Sequence, residues 1–186
     1  LAQLDSIREY LLEMRSRSEG ESKSNRGGWH SEGNLFSAED ACLAPVREAV
    51  TTTIFAYIGE AFNYRGPIQL ALTGWSVINL PGNYNVPHNH AANLLSGALY
   101  ITVPTGMTGG AIVFQDPRLN LNAHETEGMR ALAIRPPWMV TSITVSPKEG
   151  EILIFPSWLI HWVEPYQCED PSAWRIVISF NTSITK

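Results

Sequence analysis

From residue 67 onward the chain runs in short apolar-rich segments, each closed by Gly, Pro or Asn. They stand at 68–80, 94–103, 111–115, 139–146, 151–155, 159–163 and 173–182. Many short strands separated by turn signals predict a β-sandwich or barrel. The last segment is the plainest, because it alternates with the period of two that a strand imposes. Trp174, Ile176, Ile178 and Phe180 fall on one face, and Arg175, Val177, Ser179 and Asn181 on the other. The first face should pack on core or helices. An arginine on the second, turned into a barrel lumen, needs a bound anion or a buried partner, since an unpaired buried charge is costly.

Before residue 67 the period is helical. Leu4, Ile7, Leu11, Leu12 and Met14 predict a helix within 1–17. Leu43, Val46, Val50, Ile54, Tyr57, Ile58, Ala61 and Phe62 form the stripe of a second. Ser37 could cap it, with Asp40 three residues later; alternatively the helix starts near Ala44, with Pro45 in its first turn. Residues 18–34 are polar and rich in Gly and Ser, which reads as a loop. The stretch from Pro117 to Pro137 has weak strand signals and reads as a substrate-facing loop. The expectation is one domain over 1–186, with 1–66 mostly helical support and 67–186 a β body.

Composition narrows the function. Of 186 residues, 44% are hydrophobic and 17% charged, and the net charge is −5. That fits an ordinary globular core, and no Lys/Arg run offers a phosphate track, so nucleic acid is not an expected partner. Cys42 and Cys168 stand far apart without CxxC spacing, which speaks against a disulfide framework or a thiolate zinc site and for a reducing compartment. The longest strongly apolar stretch, Ile152 to Val163, is short for a bilayer span and holds Pro156. The first residues, with Asp5, Arg8 and Glu9, do not read as a secretory leader. A cytoplasmic location with no membrane partner is expected.

Three of the five histidines then take on a shared meaning. His88 and His90 stand in the pattern G-x5-H-x-H-x6-G, from Gly82 to Gly97, and His161 closes G-x5-P-x-W-x2-H from Gly150. Two imidazoles at i and i+2 of an extended segment point the same way, and a third from a distant strand can complete one face of a metal site. Any one of them alone reads better as a loop or core histidine. His30 and His124 sit in polar loops; either could be an accessory group at a site, and a surface role is the stronger reading for both. Arg175 carries a fork that matches a carboxylate, against the plain alternative of an ion pair with Glu164 or Asp170. Tyr100 could reach the same carboxylate or simply pack in its strand. Asn79 could offer an amide to the lumen, though capping the turn before Pro81-Gly82 is the simpler role. Asp116-Pro117-Arg118 has the form of a common turn. The six tryptophans read as core and pocket walls.

On these residues the chain resembles the iron(II)- and 2-oxoglutarate-dependent dioxygenases, and within them a bacterial group of 2OG-Fe(II) oxygenases of unassigned substrate. The resemblance is carried by GGWHSEGNLF (Gly27–Phe36), WSVINLPGNYNVPHNHAANLLSGALYITVP (Trp75–Pro104), GGAIVFQDPR (Gly109–Arg118), GEILIFPSWLIHWVEP (Gly150–Pro165) and RIVISFN (Arg175–Asn181). It is also similar to the prolyl-hydroxylase branch, whose strand tyrosine and R-x3-S/T pair hold 2-oxoglutarate; Tyr100, Arg175 and Ser179 stand at those places. The resemblance implies a mainly β protein with N-terminal helices: a double-stranded β-helix, a jelly-roll or cupin-like barrel, braced by α-helices. It implies Fe(II) on His88, His90 and His161, with 2-oxoglutarate held by Arg175, Tyr100 and Ser179; the Asn79 amide is a further cofactor-binding candidate read from its place on the strand before the histidines. It implies a reaction with dioxygen that releases succinate and CO2 and hydroxylates a small-molecule or peptide substrate.

Two departures stand out. The superfamily triad is His-x-Asp/Glu…His, and here His90 takes the acid's place, so His90 is either a ligand or sits behind one. Val177 stands where the wider Arg motif has serine two residues on, and Ser179 could cover that role. Two other readings compete. A cupin-like metalloprotein without 2-oxoglutarate shares the histidine spacing, but Asn93, Leu94 and Leu95 occupy the place of the cupin glutamate. A non-catalytic jelly-roll binding module would need no metal. A homodimer is left open.

Overall fold

The computed structural model describes residues 4–118, 127–132 and 141–185. His124 and Trp138 lie outside them, as does most of the predicted loop from Pro117 to Pro137. Helix α1 (Leu4–Ser16) buries Ile7 and Leu11. Helix α2 (Ala44–Ala61) buries Val46, Val50, Ile54 and Ile58, four residues apart along one face. Pro45 stands in its first turn, where a missing N–H leaves no bond unmade. Ser37 does not cap this helix. It ends a short helical turn, Leu35–Ser37, capped by Asn34, and Asp40 caps a second, Ala41–Leu43, that runs into α2. Each cap oxygen accepts from the backbone N–H two residues on, the reach of an Asx turn.

The strands are β1 (Asn25–Arg26), β2 (Trp29–His30), β3 (Gln69–Asn79), β4 (Tyr84–His88), β5 (Leu95–Thr102) and β6 (Thr108–Gly109). They continue as β7 (Ile112–Gln115), β8 (Ser142–Val145), β9 (Ile152–Pro156), β10 (His161–Val163), β11 (Tyr166–Gln167) and β12 (Arg175–Thr185), with a short helix α3 (Glu127–Ala131) between β7 and β8. Two five-stranded sheets result, in the orders β2-β3-β12-β5-β9 and β1-β4-β10-β7-β8, beside a ribbon of β6 and β11. Every pairing is antiparallel. This is the double-stranded β-helix, mainly β with helices on one side. The polar segment 18–34 is more than a loop: β1 and β2 within it add one edge strand to each sheet, so the first third of the chain is not helical support alone. Each is two residues long, and the pairing comes from its partner rather than from local propensity.

Strand β12 is central, paired with β3 from Arg175 to Thr185 and with β5 as far as Thr182. Its Ile176, Ile178 and Phe180 join Ile78, Leu99, Ile7, Leu11, Val50 and Ile54 in one buried cluster between this sheet and the helices. Burying each such side chain contributes roughly 1.5–3 kcal/mol. Gly97 lets β5 close on this core: a Cβ there would stand 2.2 Å from the Phe180 ring and 2.5 Å from the Leu153 carbonyl oxygen. With one face of the sheet committed to the helices, alternation turns the other face toward the second sheet. No helix among the described residues is long and apolar enough to cross a membrane.

Candidate functional site

His88 ends β4 and His161 begins β10, and the two are directly opposed in the antiparallel ladder. Register is therefore what joins them, since a slip of one residue would turn one ring to the other face. His90 lies two residues past the strand. Its N–H donates to the Ser157 carbonyl at 2.9 Å and its own carbonyl accepts from Asn93 Nδ2 at 3.3 Å. The turn that delivers His161 thus also anchors His90. One ring nitrogen from each of the three lies within 4.8 Å of the others.

Second contacts set the tautomers of two of them. His88 Nδ1–H donates to the Val86 carbonyl at 2.7 Å, and His161 Nδ1–H to the Leu159 carbonyl at 2.9 Å. A carbonyl can only accept, so Nδ1 carries the proton and Nε2 keeps its lone pair. Burial, reinforced by the neighbouring imidazoles, drives His90 down to about 3. Burial also drives His161 down to about 4 and lowers His88. At neutral pH all three are uncharged, the form a metal binds. Three neutral nitrogen donors that converge without an acid suit a borderline divalent ion such as ferrous iron or zinc.

The three rings line a cavity of about 770 Å³ between the sheets. The inward face of β12 supplies Arg175, Val177 and Ser179 to the same wall, and β5 supplies Ala98 and Tyr100. Ile112, Phe155, Val163 and Val77 make it largely apolar. Arg175 is 3% exposed, and no acid among the described residues pairs with it; Asp170 is occupied with Ser172 instead. Its guanidinium lies 5.4 Å from the Tyr100 ring centroid, and its Nε has no hydrogen-bond partner. Burial lowers the arginine's pKa, against the pull of Tyr100 and Tyr166, and raises that of Tyr100. Asn79, opposite Arg175 across β3 and β12, is buried with both amide atoms unpartnered. A buried permanent cation without an acid partner among the described residues, in one cavity with three metal-competent imidazoles, fits an anionic, metal-chelating ligand.

Residues 73–181 match the family described as "Putative 2OG-Fe(II) oxygenase". The chain belongs to this family. The oxygenase is thus an oxidoreductase whose family cofactors are ferrous iron and 2-oxoglutarate. Its fold is similar to a crystal structure of a prolyl-4-hydroxylase from Pseudomonas putida, with a TM-score of 0.65 at 12% identity, covering 98% of this chain and 86% of that one. It is also similar to HygX from Streptomyces hygroscopicus, crystallised with nickel and 2-oxoglutarate, with a TM-score of 0.61 at 14% identity over 98% of this chain and 78% of that one. HygX with iron bound superposes with a TM-score of 0.60 at 12% identity, over 98% and 77% of the two chains. A comparison with curated proteins finds no match.

The site residues read from the sequence fare differently. His88, His90, His161, Arg175, Tyr100 and Ser179 all line one cavity of the oxygenase. Asn79 lies outside that lining, and it does not cap the turn before Gly82 either; Asn83 does, accepting from Leu80 N–H at 2.8 Å. Asp116 and Arg118 form a closed turn, paired at 2.6 Å. His30 is not a surface histidine: on β2 it lines the cavity and stacks on Trp75, ring centroids 5.7 Å apart. No local signal marked it, because its position comes from the pairing of β2 with β3. Trp75 also lines the cavity and stacks on His90 at 5.5 Å. The sequence did carry a signal for it, the alternation Thr73, Trp75, Val77, Asn79 on one face of β3.

Proposed function

We propose that His88, His90 and His161 hold ferrous iron and that Arg175 receives the distal carboxylate of 2-oxoglutarate, in an enzyme that hydroxylates a small-molecule or peptide substrate. The observation that carries this reading is the buried Arg175 guanidinium, without an acid partner among the described residues, in the same cavity as three neutral imidazoles. A carboxylate would meet the guanidinium with a pair of charge-assisted hydrogen bonds. Tyr100 and Ser179 offer hydroxyls along the same wall, and Asn79, paired with Arg175 across β3 and β12, has both amide atoms unpartnered.

When bound, iron and 2-oxoglutarate supply oxygen activation coupled to conversion of the oxo acid into succinate and CO2. The protein's part is positioning and exclusion. The Nδ1–H bonds of His88 and His161 keep two Nε2 lone pairs available without any reorganisation. Arg175 fixes one end of the co-substrate, so the orientation of the other follows. Val77, Ala98, Val177, Ile112 and Val163 keep bulk water from the reacting groups. Cys42 and Cys168 are free thiols, which supports a reducing, cytoplasmic setting.

Calorimetric titration of 2-oxoglutarate into the nickel-loaded protein, which cannot turn over, tests the assignment. Metal-dependent binding lost in R175M is expected, and binding that needs neither metal nor Arg175 overturns it. Aerobic succinate release with Fe(II) then follows the chemistry.

A further inference from the structure

Two of the three histidines are oriented by a hydrogen bond from Nδ1 to a carbonyl two residues earlier. His90 has no such bond among the described residues, and its ring stacks against other rings. Trp75 covers one face of it, centroids 5.5 Å apart and planes 23° apart, and His161 stacks on it at 5.2 Å and 9°. Trp75 in turn stacks with His30 at 5.7 Å and 14°. Four rings, His30, Trp75, His90 and His161, are therefore linked by successive stacking contacts inside the cavity. Trp75 is itself held in β3, whose neighbours β2 and β12 pair on both sides. Stacking fixes the plane of a ring without fixing which nitrogen carries the proton, so it can do the orienting that the missing hydrogen bond does elsewhere.

We infer that Trp75 is a positioning residue for the metal centre: stacked with both His30 and His90, it sets the plane of the His90 ring. This rests on the reading of His90 as a metal ligand. The position that departs from the superfamily's acid is thus the one served by a tryptophan. A carboxylate there would gain nothing from an aromatic face, whereas an imidazole without a hydrogen-bonded anchor does.

The test is nickel(II) affinity of the apoprotein by calorimetry in W75L, W75F, H90A and the double variant W75L/H90A, with thermal melting of each apoprotein as the control for folding. Contacts behind a metal ligand typically alter affinity by roughly 10–100-fold. W75L should weaken nickel about tenfold, W75F, which keeps an aromatic face, by less than about threefold, and W75L should add nothing once His90 is alanine. W75Q replaces W75L if that variant does not melt cooperatively. Affinity in W75L or W75Q within twofold of the parent overturns the inference, as does an equal loss with and without His90. If H90A itself binds nickel as the parent does, His90 is not a ligand and the three-histidine reading fails instead.

Discussion

Replacing Arg175 with methionine removes a charge while keeping most of the side chain's length, and the structure predicts opposite effects on the empty and the loaded protein. In the empty protein the guanidinium is 3% exposed, has no acid partner among the described residues and leaves Nε unbonded. Exchanging such a group for an apolar one of similar volume stabilises by about 1–4 kcal/mol, provided the packing is kept. For a chain of this size each kcal/mol moves the melting temperature by about 2–4 °C, so R175M should melt about 2–16 °C higher. Binding should go the other way. Removing one partner of a buried, hydrogen-bonded charge pair costs about 3–5 kcal/mol, which corresponds to a 2-oxoglutarate affinity at least about a hundredfold weaker. Nickel affinity should not change, because among the described residues the Nδ1 atoms of His88 and His161 bond backbone carbonyls and the Arg175 guanidinium lies over Tyr100. Differential scanning calorimetry and titration calorimetry on the same preparations read all three quantities. A variant that melts lower than the parent, or binds 2-oxoglutarate within threefold of it, would refute the argument that Arg175 is held unpaired for an anion.

Three further outcomes follow from the same geometry. H90D should still bind nickel, since the carboxylate supplies one donor at the same position; loss of nickel binding in the folded variant would mean that the place requires a ring. Nickel affinity should hold nearly constant from pH 8 to about pH 6 and fall only in stronger acid, because His90 and His161 protonate near 3 and 4 rather than at the ordinary 6.5; titrations showing a midpoint near 6.5 would contradict this. The sign for folding is the same: below the unfolded pKa of about 6.5 the unfolded chain takes up protons that these buried imidazoles do not, so apoprotein stability falls with acidification until their folded pKa values are reached. G97A should lower stability by about 1–3 kcal/mol in chemical denaturation, since its Cβ would meet Phe180 and the Leu153 carbonyl; an unchanged midpoint would show that β5 yields easily.

What the sequence made legible followed from strong periodicity and from side chains whose chemistry is conspicuous. The two faces of β12 were readable because alternation there is strict, and the structure puts Ile176, Ile178 and Phe180 in the core and Arg175, Val177 and Ser179 on the cavity. The histidine spacing led to one cluster because both patterns end in strands that pair. Three things were not legible. Strands β1 and β2 lie in a Gly- and Ser-rich stretch and exist only through β4 and β3. His30 was lost with them. Strand β4, Tyr-Asn-Val-Pro-His, was readable as extended and ending at a histidine, but its pairing with neighbours on both sides was not. In each case the deciding interaction joins residues tens of positions apart, and no window along the chain contains it.

The direct opposition of His88 and His161 has a consequence for how the protein comes apart. A metal ion shared by these two side chains ties together strands separated by 72 intervening residues, on the sheet whose strands take no part in the buried cluster with α1 and α2. Such a tie closes a long loop and binds only the folded register, so it favours the native state by mass action. The loaded molecule should lose its second sheet as a unit, with amide hydrogens of β4 and β10 exchanging together and only after the ion has left. Residence of the ion then sets the lifetime of that half of the fold.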